Sequence, residues 1–245
     1  MRALLLGLVT LVLFLSAETV PAASDGTPSS QAWTWCKGGA GISLDLQISG
    51  CTTAIQTGHL SKNDLAVAFF KRGYARKQNK EPDKAIADYD QAIKLNPNYA
   101  DAFIQRGVAY KNTGNFDRAL QDYAEALRLD PRNAKAFDAR CYAYGIMGQL
   151  DKALSDCTAL LSLEPKAYYT LDSRGLVYLK MGRLADAIKD YDNALAINPK
   201  IGESLYGRGV AKQRQGDESG GRADIAAAKA ITPDIEQTMA GLGVK

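Results

Sequence analysis

The stretch AFIQRGVAYKNTGNFDRALQDYAEALRLDP, residues 102–131, decides how the chain is read. It holds two apolar stripes of helical spacing, a glycine between them at Gly114, and a proline at its end, Pro131. Glycine readily takes the left-handed backbone that closes a helix. Proline cannot continue a helix and pushes the residue before it out of the α region. The stretch therefore reads as two short helices folded back on each other.

The same marks recur outward from it. Prolines stand at Pro97, Pro131, Pro165, Pro199 and Pro233, each 34 residues after the last. Counted from residues 66, 100, 134, 168 and 202, the eighth place reads Gly73, Gly107, Cys141, Gly175 and Gly209. The twentieth reads Ala85, Ala119, Ala153, Ala187 and Gly221, and the twenty-fourth Tyr89, Tyr123, Cys157, Tyr191 and Ile225. Small residues thus face large ones where the two helices of each unit cross. Places 4, 8 and 11 form one helical stripe, and 20, 24 and 27 another. A fixed period of this length is the signature of stacked supersecondary units.

These residues carry a resemblance. The pattern is similar to the tetratricopeptide repeat (TPR), a helix–turn–helix unit, and resembles exported TPR proteins of Gram-negative bacteria. The resemblance implies an all-α fold, an α-solenoid of antiparallel helix pairs wound into a superhelix. The units fall at residues 66–99, 100–133, 134–167, 168–201 and 202–235. In the fifth, Gly220 and Gly221 stand where a second helix should begin, so that helix is expected to start late and the unit to act as a worn cap. Residues 236–245 form a C-terminal tail. Upstream, residues 36–65 read as a degenerate unit whose first helix is mostly lost to Gly38, Gly39 and Gly41. Residues 23–35 read as a linker.

The N-terminus addresses the chain. Arg2 precedes an apolar run over residues 3–15 and a small-residue exit at Val20, Pro21, Ala22 and Ala23. This is the pattern of a secretory signal peptide, residues 1–22, cut after Ala22 or Ala23. The run is shorter than the ~20 residues a membrane span needs. The mature chain is therefore expected in the periplasm or the secreted fraction, without an integral membrane segment.

An oxidising destination bears on the four cysteines. Places 8 and 24 are symmetric about the turn, so Cys141 faces Cys157, and Cys36 precedes Cys51 at nearly the same spacing. Two disulfides, Cys36–Cys51 and Cys141–Cys157, are expected. The alternative is buried free thiols, which pack as small apolar groups. Zinc is disfavoured by the lack of a C-x-x-C pair, and a catalytic thiol by the distance of the single histidine, His59.

Every unit also carries arginine at the seventh place (Arg72, Arg106, Arg140, Arg174, Arg208) and aspartate at the twenty-third (Asp88, Asp122, Asp156, Asp190, Asp224). In TPRs the seventh place is more often leucine. Ten charges at fixed spacing suit structural ion pairs that hold the stack better than a single ligand site. Whether they pair within or between units is open at this level.

The resemblance further implies that the first helix of each pair lines a concave groove. Places 2, 5, 9 and 12 would face it, giving Phe70, Tyr74, Ile104, Val108, Tyr142, Tyr169, Leu176, Leu179, Tyr206 and Val210, with Lys77, Lys111, Lys135 and Asp138 among them. Large apolar side chains on an open face suit a protein or peptide partner. The clamp by which chaperone-binding TPRs grip a terminal carboxylate is missing, since Phe70 and Tyr74 stand where its Lys and Asn belong and Ala139 where its later Arg belongs.

A net charge of +3 on 245 residues is too balanced for a nucleic-acid partner. The sequence shows no Gly-rich phosphate loop, no paired carboxylates apart from the repeat, and no motif for a metal or cofactor. A non-enzymatic interaction scaffold is expected. The alternatives are a self-assembling structural element of the cell envelope and a non-catalytic subunit of an envelope enzyme complex. Oligomeric state is not encoded in any motif.

Overall fold

The computed structural model describes residues 30–244, and among these the chain is thirteen helices with no strand. They are α1 (Ser30–Lys37), α2 (Leu44–Gln56), α3 (Lys62–Gln78), α4 (Pro82–Leu95), α5 (Ala100–Asn112), α6 (Phe116–Leu129) and α7 (Ala134–Ile146). There follow α8 (Leu150–Leu163), α9 (Tyr168–Lys180), α10 (Leu184–Ile197), α11 (Gly202–Arg214), α12 (Glu218–Ile231) and α13 (Ile235–Gly241). Each odd helix up to α11 packs on the even helix after it, and each even helix on the next odd one. From α1 onward, successive odd helices also touch one another, whereas successive even helices do not. The solenoid therefore curves with its odd helices on the inner, concave side. The expected signal peptide lies outside the described residues, as do residues 23–29 of the expected linker.

Local chemistry explains the hairpins. At the turn between α5 and α6, Gly114 has φ 80°, the left-handed region that glycine adopts without penalty. The Asn115 N–H then reaches back to the Tyr110 carbonyl at 2.8 Å, satisfying a carbonyl the helix end would leave open. The helices of a pair approach closely because one side is glycine. A Cβ on Gly107 would lie 2.6 Å from the Tyr123 ring, and one on Gly175 2.8 Å from the Tyr191 ring. Tyr89, Tyr123 and Tyr191 are accordingly buried completely or nearly so.

The structure corrects the sequence reading in three places. Residues 30–35 belong to α1, so the N-terminal unit keeps both helices. They cross so tightly that a Cβ on Gly50 would meet the Ala32 carbonyl oxygen at 2.8 Å. Helix α3 starts at Lys62, a turn before the unit boundary at residue 66, because the Ser61 hydroxyl caps it by accepting from the Asp64 N–H at 3.1 Å. Helix α12 does not start late but begins at Glu218, in register with α10. The Asp217 carboxylate caps it at the Gly220 N–H (2.9 Å), and Gly221 sits where a Cβ would meet the Gly209 carbonyl oxygen at 2.7 Å. Gly221 serves the helix crossing and Gly220 the cap, and neither breaks the helix.

Candidate partner-binding groove

The arginines of the seventh place lie on the odd helices and the aspartates of the twenty-third on the even helices that follow. Within each unit the guanidinium donates two N–H bonds to one carboxylate: 2.9 and 2.6 Å for Arg106–Asp122, 2.6 and 2.8 Å for Arg140–Asp156. Arg174–Asp190 (2.6 and 2.9 Å) and Arg208–Asp224 (both 2.7 Å) repeat the geometry, as does Arg72–Asp88, whose shortest bond is 2.8 Å. In three units the free guanidinium nitrogen reaches back to the preceding unit: Arg72 to Thr52 (3.2 Å), Arg106 to Asp90 (2.6 Å) and Arg208 to Asp192 (2.8 Å). The ladder thus closes each hairpin and also ties some hairpins together. Asp90, Asp192 and Thr52 were not singled out from the sequence, although all occupy the twenty-fifth place. Burial disfavours charge on Arg106, but hydrogen bonds and charge from Asp122 and Asp90 outweigh it and hold its pKa up.

Cys36 and Cys51 are joined with Cα atoms 4.3 Å apart, and Cys141 and Cys157 with Cα atoms 5.4 Å apart. The second bridge fills the space that a glycine and a tyrosine ring share in neighbouring units. Exposed His59 sits in the loop before α3. Among the described residues no cluster of His, Cys, Asp and Glu side chains is placed to hold a metal ion.

The concave face divides in two. On its N-terminal half, α3, α5 and α7 present half-buried Phe70, Val108 and Tyr142 and exposed Tyr74. Phe70 packs its ring 4.8 Å from that of Tyr99. A cleft of about 440 Å³ opens over Phe70, Tyr74, Gln105 and the Gly38–Gly39 turn, and a second of about 280 Å³ over Val108, Lys111, Tyr123, Asp138 and Tyr142. On the C-terminal half, α13 folds back over α11 and α9. Its Ile235 and Met239, with Val244 beyond it, are buried in one cluster with Leu176, Leu179, Tyr206 and Val210. Under it the Asp172 carboxylate accepts from the Ser204 hydroxyl, and burial pushes its pKa up to about 7.

The repeat is recognised independently of this geometry. The family described as TPR repeat matches residues 73–114, and the family described as tetratricopeptide repeat matches residues 100–133 and 173–201. The chain carries tetratricopeptide repeats. No curated protein gives a significant sequence match. Among solved structures, MamA from Desulfovibrio magneticus RS-1 superposes on this TPR protein with a TM-score of 0.63 at 18% identity, over 71% of this chain and 98% of that one. YrrB, described as a TPR protein with an unusual peptide-binding site, gives 0.60 at 20% identity, over 78% and 97%. PilF of Pseudomonas aeruginosa gives 0.63 at 18%, over 69% and 78%. At these identities the likeness is one of fold.

Against this fold, the ten residues expected on one open stripe separate. Phe70, Tyr74, Val108 and Tyr142 lie on the open half. Ile104 does not: it is 2% exposed and packs between hairpins with Phe103, Ala126, Leu127 and Ala136. Tyr169 is exposed, but its hydroxyl donates to Glu164 at 3.1 Å and its ring abuts Tyr168. Leu176, Leu179, Tyr206 and Val210 are buried rather than presented, because the tail of the TPR protein is long enough to cover its last two units though not all five. The signal for this was present in the sequence: Ile235 and Met239 fall four residues apart, on one face of a helix that starts just after Pro233.

Proposed function

We propose that this TPR protein is a non-enzymatic scaffold, exported to the periplasm or secreted, that binds a peptide or protein segment along the N-terminal half of its concave face. The observation that carries the proposal is the open row of Phe70, Tyr74, Val108 and Tyr142 over two adjoining clefts, beside a C-terminal half already occupied by the chain's own α13. Aromatic anchors in a concave setting are the residues that dominate binding energy at interfaces. Export is supported by the signal-like N-terminus and by two cysteine pairs held in bonding geometry, which suits an oxidising compartment. Non-catalytic action is supported by a repeat architecture whose recurrent arginines and aspartates are spent on pairing within the stack.

Replacing Tyr74 and Tyr142 together with Ala is expected to abolish capture of the partner from a cell-envelope extract, at about 2 kcal/mol of binding for each anchor. Helical circular dichroism should be unchanged, since both side chains lie at the surface of the groove. Undiminished capture by a folded variant would move the site off this face.

A further inference from the structure

The segment that fills the C-terminal half of the groove is short and sits over an acidic cavity. Helix α13 has seven residues and is joined to α12 by Thr232, Pro233 and Asp234. It packs on α11 and barely on α12, whereas every odd helix from α3 to α11 packs along the even helix before it. Its hold on the groove is apolar, through Ile235 and Met239 with Val244 beyond. Its Glu236 meets Lys229 of α12 at 2.8 Å, where both side chains are exposed. Beneath α13 lies a cavity of about 90 Å³, closed from above by Thr238, Met239 and Leu242. Among the described residues its lining holds two carboxylates, Asp172 and Glu203, and no Lys, Arg or His.

Asp172 stands at the fifth place of its unit, and its carboxylate accepts from the Ser204 hydroxyl at the third place of the next. The preceding junction repeats the pair, with Asp138 accepting from Thr170 at 3.2 Å. The two junctions differ in charge. Lys111 faces Asp138 across the open cleft and partly offsets its burial. Asp172 is faced by Asp138 and Tyr142 from α7, Tyr191 from α10 and Glu203 from α11. Helix α8 sends no side chain into the cavity, and α13 brings only the neutral Thr238 beside apolar groups. Lys180, further along α9, donates to the Gly145 carbonyl at 2.7 Å. Burial above all, and then the charges of Glu203 and Asp138, raise the Asp172 carboxyl to about 7 against the pull of the Ser204 bond. Ionising a carboxyl in such a place is unfavourable, and water entering beneath a raised α13 would relieve it.

We propose that α13 is a pH-responsive lid, closed while Asp172 is protonated and loosened when Asp172 ionises beside Glu203 with no cation to meet it. Loosening uncovers Leu176, Leu179, Tyr206 and Val210 and joins them to the open row, so the groove becomes longer in a neutral or alkaline medium than in an acidic one. The direction follows from linkage. A carboxyl whose value with the lid closed exceeds its ordinary one stabilises closure fully below the ordinary value, and that contribution is lost as pH rises through about 7. The lid moves without a partner, so it stands or falls separately from groove binding.

Hydrogen exchange across a pH series on the protein alone tests it, with rates corrected for the intrinsic pH dependence of amide exchange. Protection of residues 238–244 should fall about 10-fold between about pH 5.5 and pH 8, since each pH unit below the buried value changes the closed-to-open ratio by up to about tenfold. Protection in α5 should stay level. Asp172→Asn keeps an acceptor for Ser204 but cannot ionise, so its α13 should be equally protected at both ends of the series. Glu203→Gln changes an exposed side chain and removes one of the charges that raise Asp172, so the midpoint should move to lower pH. If Asp172→Asn leaves α13 unseated at every pH, the midpoint in Glu203→Gln decides. Protection of residues 238–244 that does not vary with pH, a fall that persists in Asp172→Asn, or an unmoved midpoint in Glu203→Gln would overturn the lid.

Discussion

Arg106→Leu is expected to lower stability by about 3 kcal/mol, toward the bottom of the range for breaking a buried pair by removing one partner. Asp122 is only 5% exposed, and its carboxylate takes both charge-assisted bonds from Arg106. Leucine suits the seventh place sterically, so the loss would come from stranding Asp122 rather than from a cavity. Removing the second charge as well, in Arg106→Leu with Asp122→Leu, should recover most of the loss, because a buried pair replaced by apolar groups is often neutral. Arg128→Leu provides the control: Arg128 and Glu125 form an exposed pair within one helix, and its removal should leave the melt essentially unchanged. Thermal melting followed by circular dichroism reads all three. A melt of Arg106→Leu that matches the unmodified protein would show the ladder to be decorative. Since Arg106 also holds Asp90 of the preceding unit, the loss should include weakened coupling between neighbouring hairpins, the quantity on which a stacked array depends.

The second large effect concerns Cys141 and Cys157. Cys157→Ala is expected to cost about 3 kcal/mol, the loop-closure contribution for a bridge spanning roughly 15 residues. Three of the other units show how to restore the packing without the bond, because they place glycine and tyrosine at these positions. Cys141→Gly with Cys157→Tyr should recover part of the loss, and the shift in melting temperature on adding reductant should be smaller than in the parent protein. Comparing melts with and without reductant separates bridging from packing. A parent protein whose melting is insensitive to complete reduction would remove the bridge from the account.

These two devices were legible in the sequence because both recur, or fail to recur, at fixed places of the repeat. Proline, glycine and tyrosine at a constant step locate every hairpin from α3 to α12, and the arginine–aspartate spacing places each pair on facing helices. What escaped the sequence lies where periodicity stops. Helix α1 is short, contains Trp33 and Trp35, and is followed by three glycines, so its local pattern reads as loop until Gly50 is seen admitting it against α2. The four buried groove residues failed for a related reason. Place in the repeat says which side of an odd helix a residue occupies, but whether that side meets solvent depends on what comes next. For Leu176, Leu179, Tyr206 and Val210 what comes next is the tail. Ile104 lies on the border between core and groove, and the start of α7 draws it inward through Ala136. The reach of Arg106 to Asp90 was likewise undecided, since spacing fixes the pairs along the chain but not which free nitrogen finds a partner across units.

The central claim is that the concave face is divided, open over α3, α5 and α7 and filled by α13 beyond them. Hydrogen exchange measured by mass spectrometry on the protein, with and without a saturating groove-binding peptide, addresses it directly. The account expects slowed exchange in α3, α5 and α7, and unchanged exchange across residues 235–244. Slowed exchange confined to the even-numbered helices, or faster exchange of α13 on binding, would contradict it.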